Sequence, residues 1–174
     1  MSEHASNQPT NRKSVRVLTV TISDTRAPAT DESGRRLREL LGNAGFTLID
    51  HRILRDEPAE LRALLASVAE QDLADALIST GGTGIAPRDQ TLEAIEPLLE
   101  KRLDGFGEAF RRLSFDQVGA RSILSRAVAG TSRGRFVAAL PGSPRAVELA
   151  VEALLIPVLE HAVSLLQGRS ARQH

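Results

Sequence analysis

Four short apolar runs, Val15–Ile22, Thr47–Ile53, Ala76–Thr80 and Phe136–Leu140, alternate with stretches whose leucines recur every three or four residues. The first run, VRVLTVTI, is β-branched and passes into a polar turn, SDTRAPATD. Leu37, Leu40 and Leu41 then form a helical stripe that stops at GNAG, where Gly42 and Gly45 end it. Asp56-Glu57-Pro58 opens a second helix with Leu61, Leu64, Leu65 and Val68 on one face, and a third runs from about Gln90 to Leu99. The last, Pro144 to Leu166, is apolar over a broad face and reads as buried. Pro157 should kink or break it, because proline inside a helix costs ~3 kcal/mol. Strands and helices alternating at this spacing argue for an α/β fold, a parallel sheet covered by helices on both faces. Residues 100–130 mix helix and turn signals and define no element.

A chain of 174 residues fits one domain, placed at 14–167 between polar tails at 1–13 and 168–174. That size buries enough surface to fold without a metal or a disulfide. Cysteine is absent, which excludes disulfides, thiolate zinc sites and cysteine nucleophiles. Lys plus Arg and Asp plus Glu balance at 22 each, so net charge gives nucleic acid no purchase. With five phenylalanines as the only aromatics there is no evident base-stacking platform. The N-terminal MSEHASNQPTNRKS lacks the apolar segment of a secretory signal, and no run reaches the ~18 apolar residues of a membrane span. A cytoplasmic protein is the expectation.

In open α/β sheets ligands sit outside the carboxyl ends of the strands. Three loops qualify here: SDT, GGTG and PGSP, after the first, third and last strands. Gly81-Gly82-Thr83-Gly84 lies between a strand and a helix, where glycines let backbone N–H groups approach an anion. It is neither a Walker A loop, lacking Gly-Lys-Ser/Thr, nor the dinucleotide fingerprint, whose third glycine would stand at Pro87. A plain strand-to-helix turn is the competing reading. Asp56 and Asp89 each precede a helix and could be N-caps; Asp24 could make an Asx-turn. All three nevertheless fall in loops after strands, where Mg²⁺ could bridge carboxylates to phosphate oxygens. The four histidines are scattered, and His51 reads as a satisfied, partly buried residue. Ser143 before Pro144 reads as an N-cap that leaves a helix N-terminus open to an anion. Arg111, Arg112, Arg121 and Arg126 read mainly as solvated, with one or two able to reach a phosphate.

The segments TISDT, DESG, RDEP, STGGTGIAPRDQT, GFGEAF, LSRAVAG and LPGSP, in that order from about Val15 to Leu166, resemble the molybdopterin-binding family of molybdenum cofactor biosynthesis. That family holds the MoaB and MogA proteins and the G-type domain of gephyrin, and the likeness is to the MoaB branch. The resemblance implies a three-layer α/β/α sandwich with a mainly parallel sheet, in trimers or hexamers. It implies binding of molybdopterin and, in catalytic members, its adenylylation by Mg-ATP to adenylyl-molybdopterin and pyrophosphate. Asp56 and Asp89 match the two functional aspartates, which would also hold Mg²⁺. Ser79, Thr80, Gly81, Gly82, Thr83 and Gly84 match the binding loop, Asp24 the aspartate ending the first strand, and Ser125, Gly142 and Ser143 other pocket positions. Gln90 departs from the valine common after the RD pair. The implied partners are molybdopterin, ATP, further copies of the chain and the molybdate-insertion protein of the pathway. A non-catalytic molybdopterin carrier is the alternative, and an enzyme of phosphorylated metabolites on the same architecture is a third.

Overall fold

The computed structural model describes residues 11–168. The expected tails lie mostly outside this range. Within the first of them, Arg12–Ser14 forms a 3₁₀ turn, and the Thr47 hydroxyl donates to the Lys13 carbonyl at 2.7 Å.

Six strands form one sheet in the order β2-β1-β3-β6-β5-β4. They are β1 (Arg16–Ile22), β2 (Thr47–Leu54), β3 (Ala76–Thr80), β4 (Lys101–Arg102), β5 (Val128–Ser132) and β6 (Arg135–Leu140). The four strands expected from sequence are the parallel ones: β1 pairs with β2 and β3, and β3 with β6, Ala76 opposite Phe136 through Thr80 opposite Leu140. β5 and β4 extend the sheet as antiparallel additions from the stretch that sequence left undefined. A tight hairpin joins β5 to β6 through Arg133 and Gly134, with φ of 48° and 73°. Two successive positive φ values suit the right-handed twist of the strands they connect.

Alternation along each strand divides the core. Val17, Ala76, Ile78, Phe136 and Ala138 face one side, against α1 (Glu32–Asn43), α4 (Asp104–Val118) and the long C-terminal helix. Leu18, Val20, Leu77, Val137 and Ala139 face the other, against α2 (Pro58–Glu70) and α3 (Thr91–Ile95). Both faces are covered, so β3 is buried at all five positions and shows no polar alternation. The result is the expected three-layer sandwich.

The C-terminal helix accommodates its proline without breaking. α5 (Pro144–Ala150) widens into a π turn at Val151–Leu155 and continues as α6 (Ile156–Leu166). A proline nitrogen cannot donate to the preceding turn and its ring crowds that carbonyl; the wider turn relieves both. An 18-residue window of this 23-residue helix has mean hydropathy 1.8, enough to cross a membrane by length and composition alone, although glutamates interrupt its apolar run. Its stripe of Val147, Val151, Leu155, Leu159 and Val163 is buried against the sheet.

Candidate functional site

The chain leaves β1 for β2 on one side and returns to β3 on the other, so the crevice between their carboxyl ends is the switch point of the sheet. Four loops meet there. One follows β1 and carries Asp24, one follows β2 and carries Asp56, one follows β3 and runs from Gly81 to Gln90, and one follows β6 through Gly142. Contact between the last two is direct: Gly81 N–H donates to Leu140 O at 3.0 Å, and a Cβ on Gly142 would lie 3.1 Å from the Gly81 Cα.

The glycine loop is bound from behind through four successive carbonyls. Thr91 donates its hydroxyl to Gly81 O and its N–H to Gly82 O, both at 2.9 Å. Arg126 donates Nε to Thr83 O at 2.9 Å and Nη2 to Gly84 O at 2.7 Å. The same guanidinium pairs with Glu93 at 2.6 Å, which holds the Glu93 carboxyl below its ordinary value. By contrast, the N–H groups of Gly82, Thr83 and Gly84 find no protein acceptor among the described residues. A run of free backbone donors is what an anion cradle supplies. Gly81 and Gly82 have φ of 99° and 62°, and a Cβ at either would strike the Ile22 carbonyl or the Thr91 hydroxyl.

Asp56 and Asp89 each lie against a glycine of this loop. Asp56 Oδ2 stands 2.6 Å from where a Cβ on Gly82 would be, and Asp89 Oδ2 2.5 Å from the same point on Gly84. Asp56 Oδ1 accepts the Gln90 N–H at 3.2 Å, and Asp89 Oδ2 accepts the Ala86 N–H at 3.0 Å. Neither caps its own helix: the N-cap positions are Glu57 and Gln90, and neither makes a side-chain cap bond. The capping alternative is thereby corrected. Nor does Asp24 make an Asx-turn. Ser23 Oγ accepts the turn N–H groups of Thr25 and Arg26, while Asp24 accepts the Asp56 N–H at 3.2 Å and pairs with Arg88.

Electrostatically this rim is in deficit. Burial pushes the Asp56 carboxyl up, and the Asp89 and Asp24 charges push it the same way against the Gln90 hydrogen bond. Arg88 holds Asp24 by Nε at 2.7 Å and Nη2 at 3.0 Å, and reaches Glu57 at 3.0 Å. Those contacts lower the Asp24 carboxyl and raise the Arg88 guanidinium above its ordinary value. Asp56 and Asp89 have no ion-pair partner among the described residues. No group of three or more His, Cys, Asp or Glu among those residues is placed to hold a metal ion unaided. Two carboxylates beside unpaired backbone amides still fit Mg²⁺, which typically takes one or two carboxylates and completes its shell with substrate phosphates and water.

A cleft of about 360 Å³ opens between Ile85, Pro87, Asp89, Gln90, Glu93 and Arg126. A larger cavity of about 500 Å³ lies elsewhere, between Gln117, Arg145, Glu148 and Glu152.

Other sequence candidates fall behind the rim. Ser79 and Thr80 are fully buried, their hydroxyls donating to Ala138 O and Pro141 O, so they shape the strand end. Ser143 Oγ accepts the Ala146 N–H at 3.2 Å as the N-cap of α5. Ser125 closes a turn through its N–H to Ser122 O, and its nearest link to the loop is its chain neighbour Arg126. Arg111, Arg112 and Arg121 make no hydrogen bond to the loop among the described residues. His51 is satisfied, bridging Thr19 and buried Asp31 at 2.9 Å each. Burial works to raise Asp31, but the Gly34 N–H, His51 and Thr21 outweigh it and hold the carboxyl low while it caps α1. Sequence reasoning missed Arg88 and read Arg126 as solvated. The available signal for Arg88 was its place next to Asp89, in a loop otherwise without positive charge.

Comparison with known proteins agrees with this geometry. Residues 18–161 match the family model described as a probable molybdopterin binding domain. The molybdenum cofactor biosynthesis protein B of Staphylococcus aureus is 44% identical over 166 residues, covering 94% of this chain and 97% of that one. Its counterpart from Halalkalibacterium halodurans is 42% identical over 164 residues, covering 94% and 95%. Among solved structures, the tungsten cofactor synthesizing protein MoaB of Pyrococcus furiosus superposes with a TM-score of 0.75 at 36% identity, covering 87% of this chain and 98% of that one. The family match over residues 18–161, relatives above 40% identity over nearly the whole chain and the shared sandwich place this chain in the molybdopterin-binding domain family.

Proposed function

We propose that this protein acts in molybdenum cofactor biosynthesis by binding molybdopterin and adenylylating it with Mg-ATP. One observation carries the reading: four loop carbonyls are tied back while the adjacent N–H groups stay free, with two unpaired carboxylates alongside. Backbone donors favour a phosphate, and the carboxylates favour the divalent cation that travels with it.

Positioning and charge stabilisation do most of the work in such transfers. The amides of Gly82, Thr83 and Gly84 hold a phosphate group of the substrates against the loop. Asp56 and Asp89 would hold the magnesium that accompanies the nucleotide, and the ion would neutralise charge on the phosphates and on the departing pyrophosphate. A terminal phosphate oxygen of the pterin forms the new bond to the α-phosphorus. The bond from that phosphorus to the bridging oxygen breaks, and its electron pair leaves with pyrophosphate. The attacking oxygen is already ionised at neutral pH, so no side chain need act as a base.

Incubation with molybdopterin and Mg-ATP, followed by chromatography, tests the reading. Adenylylated pterin and pyrophosphate should appear in equal amounts. Bound, unchanged pterin without pyrophosphate would overturn it. The carrier reading requires pterin affinity indifferent to Mg-ATP.

A further inference from the structure

We propose that Arg88 is the resident counter-ion of the acidic rim, supplying before nucleotide binds the positive charge that a free divalent cation would otherwise bring, and transferring to substrate phosphates when a nucleotide arrives. The proposal rests on the nucleotide-binding reading above and adds how the same site excludes a lone metal.

Its basis is how charge and mobility are distributed at the rim. Asp24, Asp56, Glu57 and Asp89 approach one another from three loops, and Arg88 is the one cation paired with any of them among the described residues. Its side chain is 57% exposed, and among the described residues its hydrogen bonds run only to Asp24 and Glu57. Exposed pairs of this kind are weak and exchangeable. Arg126, the other arginine at the site, has three backbone carbonyls and Glu93 to hold it and is not free to move. Arg88 also stands next to Asp89, so a single short loop carries a cation that can leave and a carboxylate that stays.

The partners link the exchange to the aspartates. Asp24 accepts both from Arg88 and from the Asp56 backbone N–H, so it is already tied to the Asp56 loop. When Arg88 departs, Asp24 and Glu57 lose their neutralising charge beside Asp56, and the rim gains affinity for a cation. A planar guanidinium binds phosphate oxygens in the same bidentate manner as a carboxylate, so Arg88 can exchange one for the other. Polyphosphate and metal then enter together, each removing the obstacle to the other.

This arrangement gives Arg88 two effects of opposite sign, which no purely structural residue would show. In the full chain without nucleotide, Mn²⁺ binding followed by electron paramagnetic resonance should tighten about tenfold in Arg88→Ala and in Arg88→Gln. Magnesium-dependent binding of a non-hydrolysable α,β-methylene ATP, followed by calorimetry, should weaken about tenfold in the same variants. Arg88→Lys keeps the charge but not the fork, so its Mn²⁺ affinity should stay near wild type while nucleotide binding falls. Manganese affinity unmoved in both neutral variants, or both ligands shifting in the same direction, would overturn the proposal. Failure of the adenylylation reading has a different signature: wild-type protein that binds no nucleotide, with the manganese shift intact.

Discussion

The two ends of this sheet use the same residue types to opposite effect. At the amino edge Asp72 and buried Asp75 meet Arg16 and Arg135. Arg16 Nη2 lies 2.9 Å from Asp72 and 3.0 Å from Asp75, Arg135 reaches Asp72 at 2.8 Å, and Gln167 donates to Asp75 at 3.0 Å. The arginines begin β1 and β6 while Asp75 precedes β3, so the cluster ties three strand starts together. At the carboxyl edge one exposed arginine pairs with two of four carboxylates among the described residues, and the loop between them keeps unused backbone donors. A chain that pairs its buried charge at one end has not done so at the other. Buried groups left unbalanced are disfavoured unless a ligand completes them, so the contrast separates scaffold from site.

Substitutions should separate the two ends just as clearly. The largest effect belongs to Asp89→Asn. The amide oxygen can still accept the Ala86 N–H, so thermal stability should barely move while adenylylation falls about 10²–10³-fold and pterin binding persists. Normal turnover by this variant would reduce Asp89 to a loop brace. Next comes Asp75→Ala, which strands Arg16 and Gln167 and should cost about 2–3 kcal/mol in urea denaturation, at the low end for a buried pair because Arg16 is 36% exposed. Its activity per folded molecule should be unchanged; loss of turnover without loss of stability would erase the distinction between the edges.

Asp56→Asn should change stability less than Asp75→Ala, and with reversed sign. Burial and neighbouring charge raise the Asp56 carboxyl, so the folded state binds its proton more tightly than the unfolded chain. Its favourable contribution is complete below the ordinary carboxylate value and is lost as pH rises through the raised one. At pH 7 asparagine removes that strain, and Tm should rise by about 2 °C while activity is lost. The gain should shrink as the medium is acidified; a gain that grew instead would contradict the assignment.

Much of this contrast could be read from the chain. β3 occupies the expected Ala76–Thr80, and the other parallel strands shift by a residue at an end. The third helix is shorter than its stripe, α3 giving way to a 3₁₀ turn at Glu96–Leu98 where Pro97 removes a donor. What escaped is α4 and the two antiparallel strands, where close packing requires residues that carry no periodicity. Gly107 sits inward on α4 because a Cβ there would lie 2.7 Å from the Ala127 carbonyl, and Gly130 in β5 because one would lie 2.5 Å from Lys101 O. Glycine at a core position dilutes the stripe that would reveal a helix. The aspartates were legible because short side chains act close to their place in the chain. The arginines were not: Arg126 reaches a loop about forty residues earlier, and only the folded sheet brings β5 beside it.

The most direct test of the central claim, that the carboxyl edge is completed by a cation carried on phosphate, is calorimetric titration of α,β-methylene ATP in Mg²⁺ and again in EDTA. Binding that requires the metal, and that disappears in the Asp56→Asn, Asp89→Asn double variant while surviving in Asp75→Ala, is the predicted result. Equal affinity in EDTA, or binding indifferent to the two aspartates, would contradict it.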